Sequence, residues 1–234
     1  MKKKLYIAEV KRQEFLVRDE SDEKALSIIL SRLKKLKLNL TSDDRWLEIG
    51  GFIGGFVVTT SPQVEHIYTF EADLDNYEVL NANKDFHLLH NVDIYVYAVI
   101  NDDTKTREFY INTKSDRSLH SFSVKKRRHN RPVDCVCIND MIQTLKVNKL
   151  LIDAGGSEFE IIECLTEDSY KKLKEIGILF YPAFYKESKD NHLFYKKIVD
   201  ILKKYYDNIR YNEDAYEEEY LLIHATNSIF FKGK

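Results

Sequence analysis

The strongest constraint on this chain is a short apolar stretch that ends among an acid and four glycines, Leu47-Glu48-Ile49-Gly50-Gly51-Phe52-Ile53-Gly54-Gly55-Phe56. A second apolar stretch, Ile67-Tyr68-Thr69-Phe70-Glu71, follows about twenty residues on, the separation at which an acid can meet a ribose after a glycine turn. Glycine lets a backbone turn sharply and approach a ligand where a Cβ would collide, and a carboxylate one strand over can accept hydrogen bonds from ribose hydroxyls. The pattern predicts strand, glycine turn, helix and parallel strand, with Glu48 and Glu71 gripping one nucleoside. The pattern argues against a dinucleotide, because its fingerprint needs G-x-G-x-x-G. Phe52 stands at the second glycine if Gly50 is the first, and Ile53 does if Gly51 is.

At 234 residues and 44% apolar the chain can bury the core of one α/β domain with additions. No uninterrupted apolar run is long enough to span a bilayer, and the lysine-rich start is too short and too charged for a signal sequence, so a cytoplasmic protein is expected. Cys135, Cys137 and Cys164 form no C-x-x-C pair, and their spacing suits structural cysteines better than zinc. The net charge of −2 conceals a basic run, Lys125-Lys126-Arg127-Arg128-His129-Asn130-Arg131, and an acidic one from Glu213 to Glu219.

Periodicity organises the rest. Residues Leu5 to Arg18 read as a hairpin, and Leu26, Ile29, Leu30, Leu33 and Leu36 place an amphipathic helix over Asp22 to Leu36 with Ser21 as its cap. Core strands are predicted at Trp46 to Ile49, His66 to Phe70, Asp93 to Ile100, Leu150 to Asp153 and Gly177 to Tyr181, and two closing strands near Asn208 to Tyr211 and Glu219 to Ala225. Helices are predicted at Phe52 to Thr60, Leu74 to Lys84, Asp140 to Leu145 behind an Asn139 cap, Ser157 to Leu165, Thr166 to Glu175 and Asn191 to Tyr206. Arg107 to Asn112 reads as an antiparallel excursion. Thr113 to Pro132 has no period and reads as a loop of about twenty residues, long for an idle connection.

The order acid-x-Gly-x-x-x-Gly resembles motif I of the class I S-adenosylmethionine methyltransferases, and the segments from Trp46 to Leu165 resemble the FkbM family in sequence order. Glu48 to Phe56 matches that family's opening strand and turn, Phe70-Glu71-Ala72 its Phe-Glu-Pro strand end, and Ala98-Val99 with Phe109-Tyr110 its Ala-Val and Phe-Tyr pair. Ile138 to Ile142 matches its Leu-Asp-x-Leu segment, and Leu151 to Glu158 its Lys-Ile-Asp-Val-Glu-Gly-Ala-Glu signature. The departures are Leu151 for the lysine, Gly155 for a glutamate, Phe52 for the motif I asparagine and Glu48 for its aspartate. The resemblance implies an α/β, Rossmann-like class I methyltransferase fold with a seven-stranded, mostly parallel sheet and helices on both faces. It divides the chain into an extension over 1–44 and the main domain over 45–234. It also implies S-adenosyl-L-methionine as cofactor, held by Glu48, Gly50, Gly51, Phe52, Gly54, Glu71, Ala72, Ala98, Val99 and Asp153.

Methyl transfer from a sulfonium is an in-line displacement with a good leaving group, so holding the reactants in line supplies most of the acceleration. A hydroxyl acceptor must still lose its proton. Asp153, at the carboxyl end of a core strand, is the foremost candidate base, and His120 in the long loop is the second. Asp153 and Glu158 are fewer acids than a hard cation wants, so no metal is expected. Tyr181 and Tyr185 are candidate walls of the acceptor pocket. The leading expectation is O-methylation of a sugar, glycan or small metabolite. A nucleic-acid acceptor contacted by Lys125, Lys126, Arg127, Arg128 and Arg131 is the second expectation, and a methyltransferase-like scaffold that binds without turnover is the third.

Overall fold

The computed structural model describes residues 4–100, 104–112, 128–182, 191–211 and 221–227, with backbone alone for 111, 112, 128, 129, 191 and 192. A hairpin of β1 (Tyr6–Val10) and β2 (Gln13–Val17) leads into α1 (Glu20–Leu36). Asp19, not Ser21, caps α1: its carboxylate accepts from Ser21 N at 3.1 Å, satisfying an end donor that has no intrahelical partner. Ala8, Val10, Phe15 and Val17 of the hairpin pack with Leu26, Ile29 and Leu30 of α1 into a core shared with Phe52, Ile53 and Val58, which fastens the extension over the glycine turn.

The main sheet has β3 (Arg45–Ile49), β4 (His66–Phe70), β5 (Val92–Tyr95), β9 (Lys149–Ile152), β10 (Glu175–Phe180), β11 (Asn208–Tyr211) and β12 (Leu221–Thr226), in the order β11-β12-β10-β9-β3-β4-β5. Only the pairings of β12 are antiparallel. Its helices are α2 (Gly55–Thr60), α3 (Leu74–Phe86), α4 (Ile138–Thr144), α5 (Glu158–Cys164), α6 (Glu167–Lys172) and α7 (Asn191–Leu202). The strands β9 and β10 are buried along their whole length, as expected of parallel strands covered on both faces. The chain leaves β3 towards β4 on one side and returns as β9 on the other. That reversal opens a crevice at the carboxyl ends of the strands, where open α/β sheets gather ligands.

Three readings from periodicity need correction. The segment Asp93 to Ile100 is two strands, because the chain leaves the main sheet after β5 and β6 (Ala98–Ile100) pairs instead with β8 (Arg128–Cys137). That strand begins well inside the expected loop, in antiparallel register with β7 (Thr106–Asn112). Pro132 misled the reading, since a proline breaks a ladder. Here it lies opposite Glu108, upstream of the stretch that pairs with β6, where among the described residues β8 has a partner on one side only. Finally, Asn139 does not cap α4. Its side chain donates to Cys164 O and accepts from Thr166 N and Ser169 Oγ, tying the helix to the α5–α6 turn.

Candidate active site

The crevice is lined by the carboxyl ends of β3 (Ile49, Gly50, Phe52), β4 (Phe70, Glu71, Ala72) and β9 (Asp153, Ala154), and by Ala98, Val99 and Phe109 from the β6–β8–β7 sheet. Its cavity volume is about 60 Å³, and it opens to solvent. Tyr97, 38% exposed, also lines it. Among the described lining residues are two acids, Glu71 and Asp153, and no lysine, arginine or histidine.

Gly50 brings β3 and β9 together. Its φ is +89°, and a Cβ there would sit 2.0 Å from the carbonyl oxygen of Asp153, so only glycine fits. Two residues on, Phe52 adopts φ +47°, a left-handed conformation that costs a bulky side chain of order 1–3 kcal/mol. The strain aims its N–H at Glu71 Oε2, at 2.8 Å, while Glu71 Oε1 accepts from Asp73 N at 2.8 Å. Burial nevertheless pushes the Glu71 carboxyl up to about 8, against the pull of those two donors and with the Asp73 charge adding to the rise.

Glu48 corrects the expectation of two carboxylates gripping one ligand. Successive side chains of a strand face opposite ways, so with Ile49 in the crevice Glu48 points behind it, beside its cross-strand neighbour Thr69. A Cβ on Gly51 would lie 2.4 Å from Thr69 Oγ1 and 3.6 Å from Glu48 Oε2, so this glycine makes room for the buried acid and does not line the crevice. Glu48 Oε2 has no hydrogen-bond partner among the described residues. Burial pushes its carboxyl up to about 8. Thr69 opposes the rise, and the Asp153 and Glu71 charges add to it. Gly54, at φ +100°, opens α2 and lets Leu80 approach, again away from the cavity.

Asp153 lines the crevice and is held from outside it. Tyr181 Oη donates to Asp153 Oδ1 at 2.7 Å, and Arg32 Nη1 donates to Tyr181 Oη at 2.9 Å. Burial raises the Asp153 carboxyl to about 6, with Tyr181 and then Arg32 restraining the rise. Arg32 was not anticipated, although a signal for it exists: it occupies the 25-29-32-36 stripe of α1, otherwise apolar and buried. Phe109, Ile29 and Asn76 were likewise not anticipated as lining residues.

Of the basic run, Arg131 forms an ion pair with Asp73 Oδ2 at 3.0 Å beside the crevice. His120, Lys125, Lys126, Arg127 and Tyr185 lie outside the described residues, as do the acidic run from Glu213 to Glu219 and the side chain of Arg128. No helix among the described residues is long and apolar enough to cross a membrane.

No family model and no curated protein matches this chain by sequence. Solved structures resemble it in fold. A chain of the fibrillarin/Nop5p complex matches 96% of this chain and 98% of its own length, with a TM-score of 0.52 and 14% identity. The methyltransferase FkbM from Methylobacillus flagellatus KT matches 80% of this chain at a TM-score of 0.50 and 15% identity, and the match spans 45% of that larger chain. The fold is the Rossmann-like fold of methyltransferases.

Proposed function

We propose that the chain is an S-adenosylmethionine-dependent methyltransferase acting on a hydroxyl of a sugar, glycan or other small metabolite. The observation that carries this reading is the charge of the crevice. Among the described residues its lining holds Glu71 and Asp153 and no cationic side chain, and Glu48 lies just behind with an oxygen that has no partner among them. A phosphate-bearing ligand would meet repulsion there. A sulfonium nucleoside, cationic at sulfur and at its amino group, supplies the charge that these acids lack.

Glu71, at the end of the strand after the glycine turn, would accept the ribose hydroxyls. Gly50 and the strained Phe52 give the ligand close access to backbone, and Ala72, Ala98 and Val99 form an apolar wall for a base. A bound sulfonium donor would supply the methyl group, with its sulfur as leaving group, and the crevice would hold that group in line with an acceptor oxygen. Asp153, with one oxygen already engaged by Tyr181, takes the proton that the acceptor loses.

Isothermal titration with S-adenosylmethionine and with S-adenosylhomocysteine tests the reading. Both should bind wild type, and Glu71→Ala should weaken each by about 10- to 100-fold, the cost of losing charged hydrogen bonds. No heat from either ligand would end the proposal. A polyanionic acceptor is the second reading, favoured by Arg131 of β8, which ends the basic run of the sequence and pairs with Asp73 beside the crevice. RNA that competes with small hydroxyl acceptors for methyl incorporation would establish it over the first.

A further inference from the structure

The extension contributes a charged side chain to the centre of the molecule. Arg32 of α1 is 8% exposed, with its guanidinium carbon 5.1 Å from the Tyr181 ring centroid and its Nη1 bonded to the Tyr181 oxygen. Burying a guanidinium costs several kcal/mol of hydration, which a leucine in the same stripe would not cost. What Arg32 achieves is direction. By donating to the Tyr181 oxygen it leaves the single phenolic proton to point at Asp153 Oδ1, and Tyr181 is 7% exposed, so water does not compete freely for that proton.

We propose that Arg32 and Tyr181 are positioning residues for Asp153. They fix one carboxylate oxygen so that the other faces the methyl acceptor, which makes the N-terminal helix part of the reaction centre rather than a cover over it. The inference rests on the methyl-transfer reading. It assigns the acceptor a proton-bearing nucleophile, whose proton passes to Asp153 Oδ2 and then to solvent. The chain of donors also favours the ionised form of Asp153 against the burial that raises it; Glu48 behind β3 and Glu71 on β4 are the neighbouring acids, and the charge of Glu158 on α5 acts on Tyr181. Arg32 is the cation set against them, acting on Asp153 through Tyr181 and through space.

The experiment compares wild type with Tyr181→Phe, Arg32→Met and Arg32→Lys. In the protein without cofactor, carbon-13 NMR of the Asp153 carboxyl should show its titration midpoint rise by about one unit or more when the phenol hydroxyl is lost. In turnover, the acidic limb of the pH–kcat profile should move up by the same amount, with the KM for S-adenosylmethionine unchanged. Arg32→Met should move both in the same sense, and Arg32→Lys should restore most of the shift. A merely structural contact predicts lower thermal stability with midpoint and limb in place, and that result in a folded Tyr181→Phe protein overturns the proposal. A shifted NMR midpoint in a protein that binds no donor would instead overturn the methyl-transfer reading, and the catalytic role with it.

Discussion

At the N-terminal edge of the sheet, Lys149 of β9 is 1% exposed and lies 2.8 Å from both Asp44 Oδ2 and Glu175 Oε2. His224 of β12 reaches Glu175 Oε1 at 2.5 Å, and Arg210 of β11 donates to the other nitrogen of that histidine. Burial alone would raise the Glu175 carboxyl, and the bonds from His224 and Lys149 more than reverse it, holding it below its usual value. At the opposite edge of the same sheet, Glu48 and Glu71 are buried and Asp153 is partly buried, and all three carboxyls are raised. The two edges separate structure from site. Where the fold needs buried charge it supplies the opposite charge itself, and where the charge is left over a ligand can supply the remainder.

The comparison breaks most visibly at Gly50. Gly50→Ala drives a Cβ into the Asp153 carbonyl and imposes φ +89° on alanine, so the loss should be about 4 kcal/mol or more, at the extreme of single substitutions. Urea denaturation measures it, and a wild-type midpoint would mean that β3 and β9 do not meet as described. At the compensated edge, Lys149→Met leaves Asp44 and Glu175 buried without their shared cation and should cost about 3–5 kcal/mol. Glu48→Gln, equally buried at the other edge, should be level with or above wild type at pH 7, because wild type must protonate a carboxyl that is ionised in the unfolded chain and the amide needs no proton. Equal losses for the two variants would erase the distinction between the edges.

The edges should also titrate in opposite senses. Glu48 and Glu71 keep their protons to about 8 when folded and lose them near 4.5 when unfolded. Their contribution is complete below the unfolded value and disappears as pH rises through the folded one. Glu175 is lowered, so its contribution is present above the unfolded value and is lost on acidification. Thermal melts should therefore show Glu48→Gln matching wild type near pH 5 and exceeding it above pH 8. The reverse order at high pH would place an ionised, well-solvated Glu48 in the folded protein.

Much of this arrangement was written locally. The strand ends at Ile49 and Phe70, the helix over α1 and the β11 boundaries follow from periodicity, because burial on one face forces spacing. The acids at 71 and 153 follow from lying at strand ends. Residue 48 misleads for a physical reason: the face of an acid at the end of a strand depends on parity, and one position decides whether it faces the ligand or the space behind Gly51. Arg32 and Tyr181 were legible in part, one as a charge in an apolar stripe and the other as an aromatic after a strand. Their bond spans 149 positions of sequence separation and exists only after folding. The strand through Pro132 was hidden because its tolerance depends on which edge lacks a partner.

The smallest expected effect tests the comparison most sharply. If the acids of the C-terminal edge await a cation, binding one must release protons. At pH 7 Glu71, with its carboxyl raised to about 8, holds most of a proton, and a sulfonium nucleoside beside it favours the ionised form. Titrations of S-adenosylmethionine in two buffers of equal pH and unequal ionisation enthalpy should differ in apparent heat by an amount that corresponds to a fraction of one proton released. The difference should shrink in Glu71→Gln and stay in Lys149→Met wherever that variant is folded, since Lys149 lies at the other end of β9. Identical heats in the two buffers would mean that the ligand enters without disturbing the acids, and the charge complementarity that links this crevice to a cationic donor would fail.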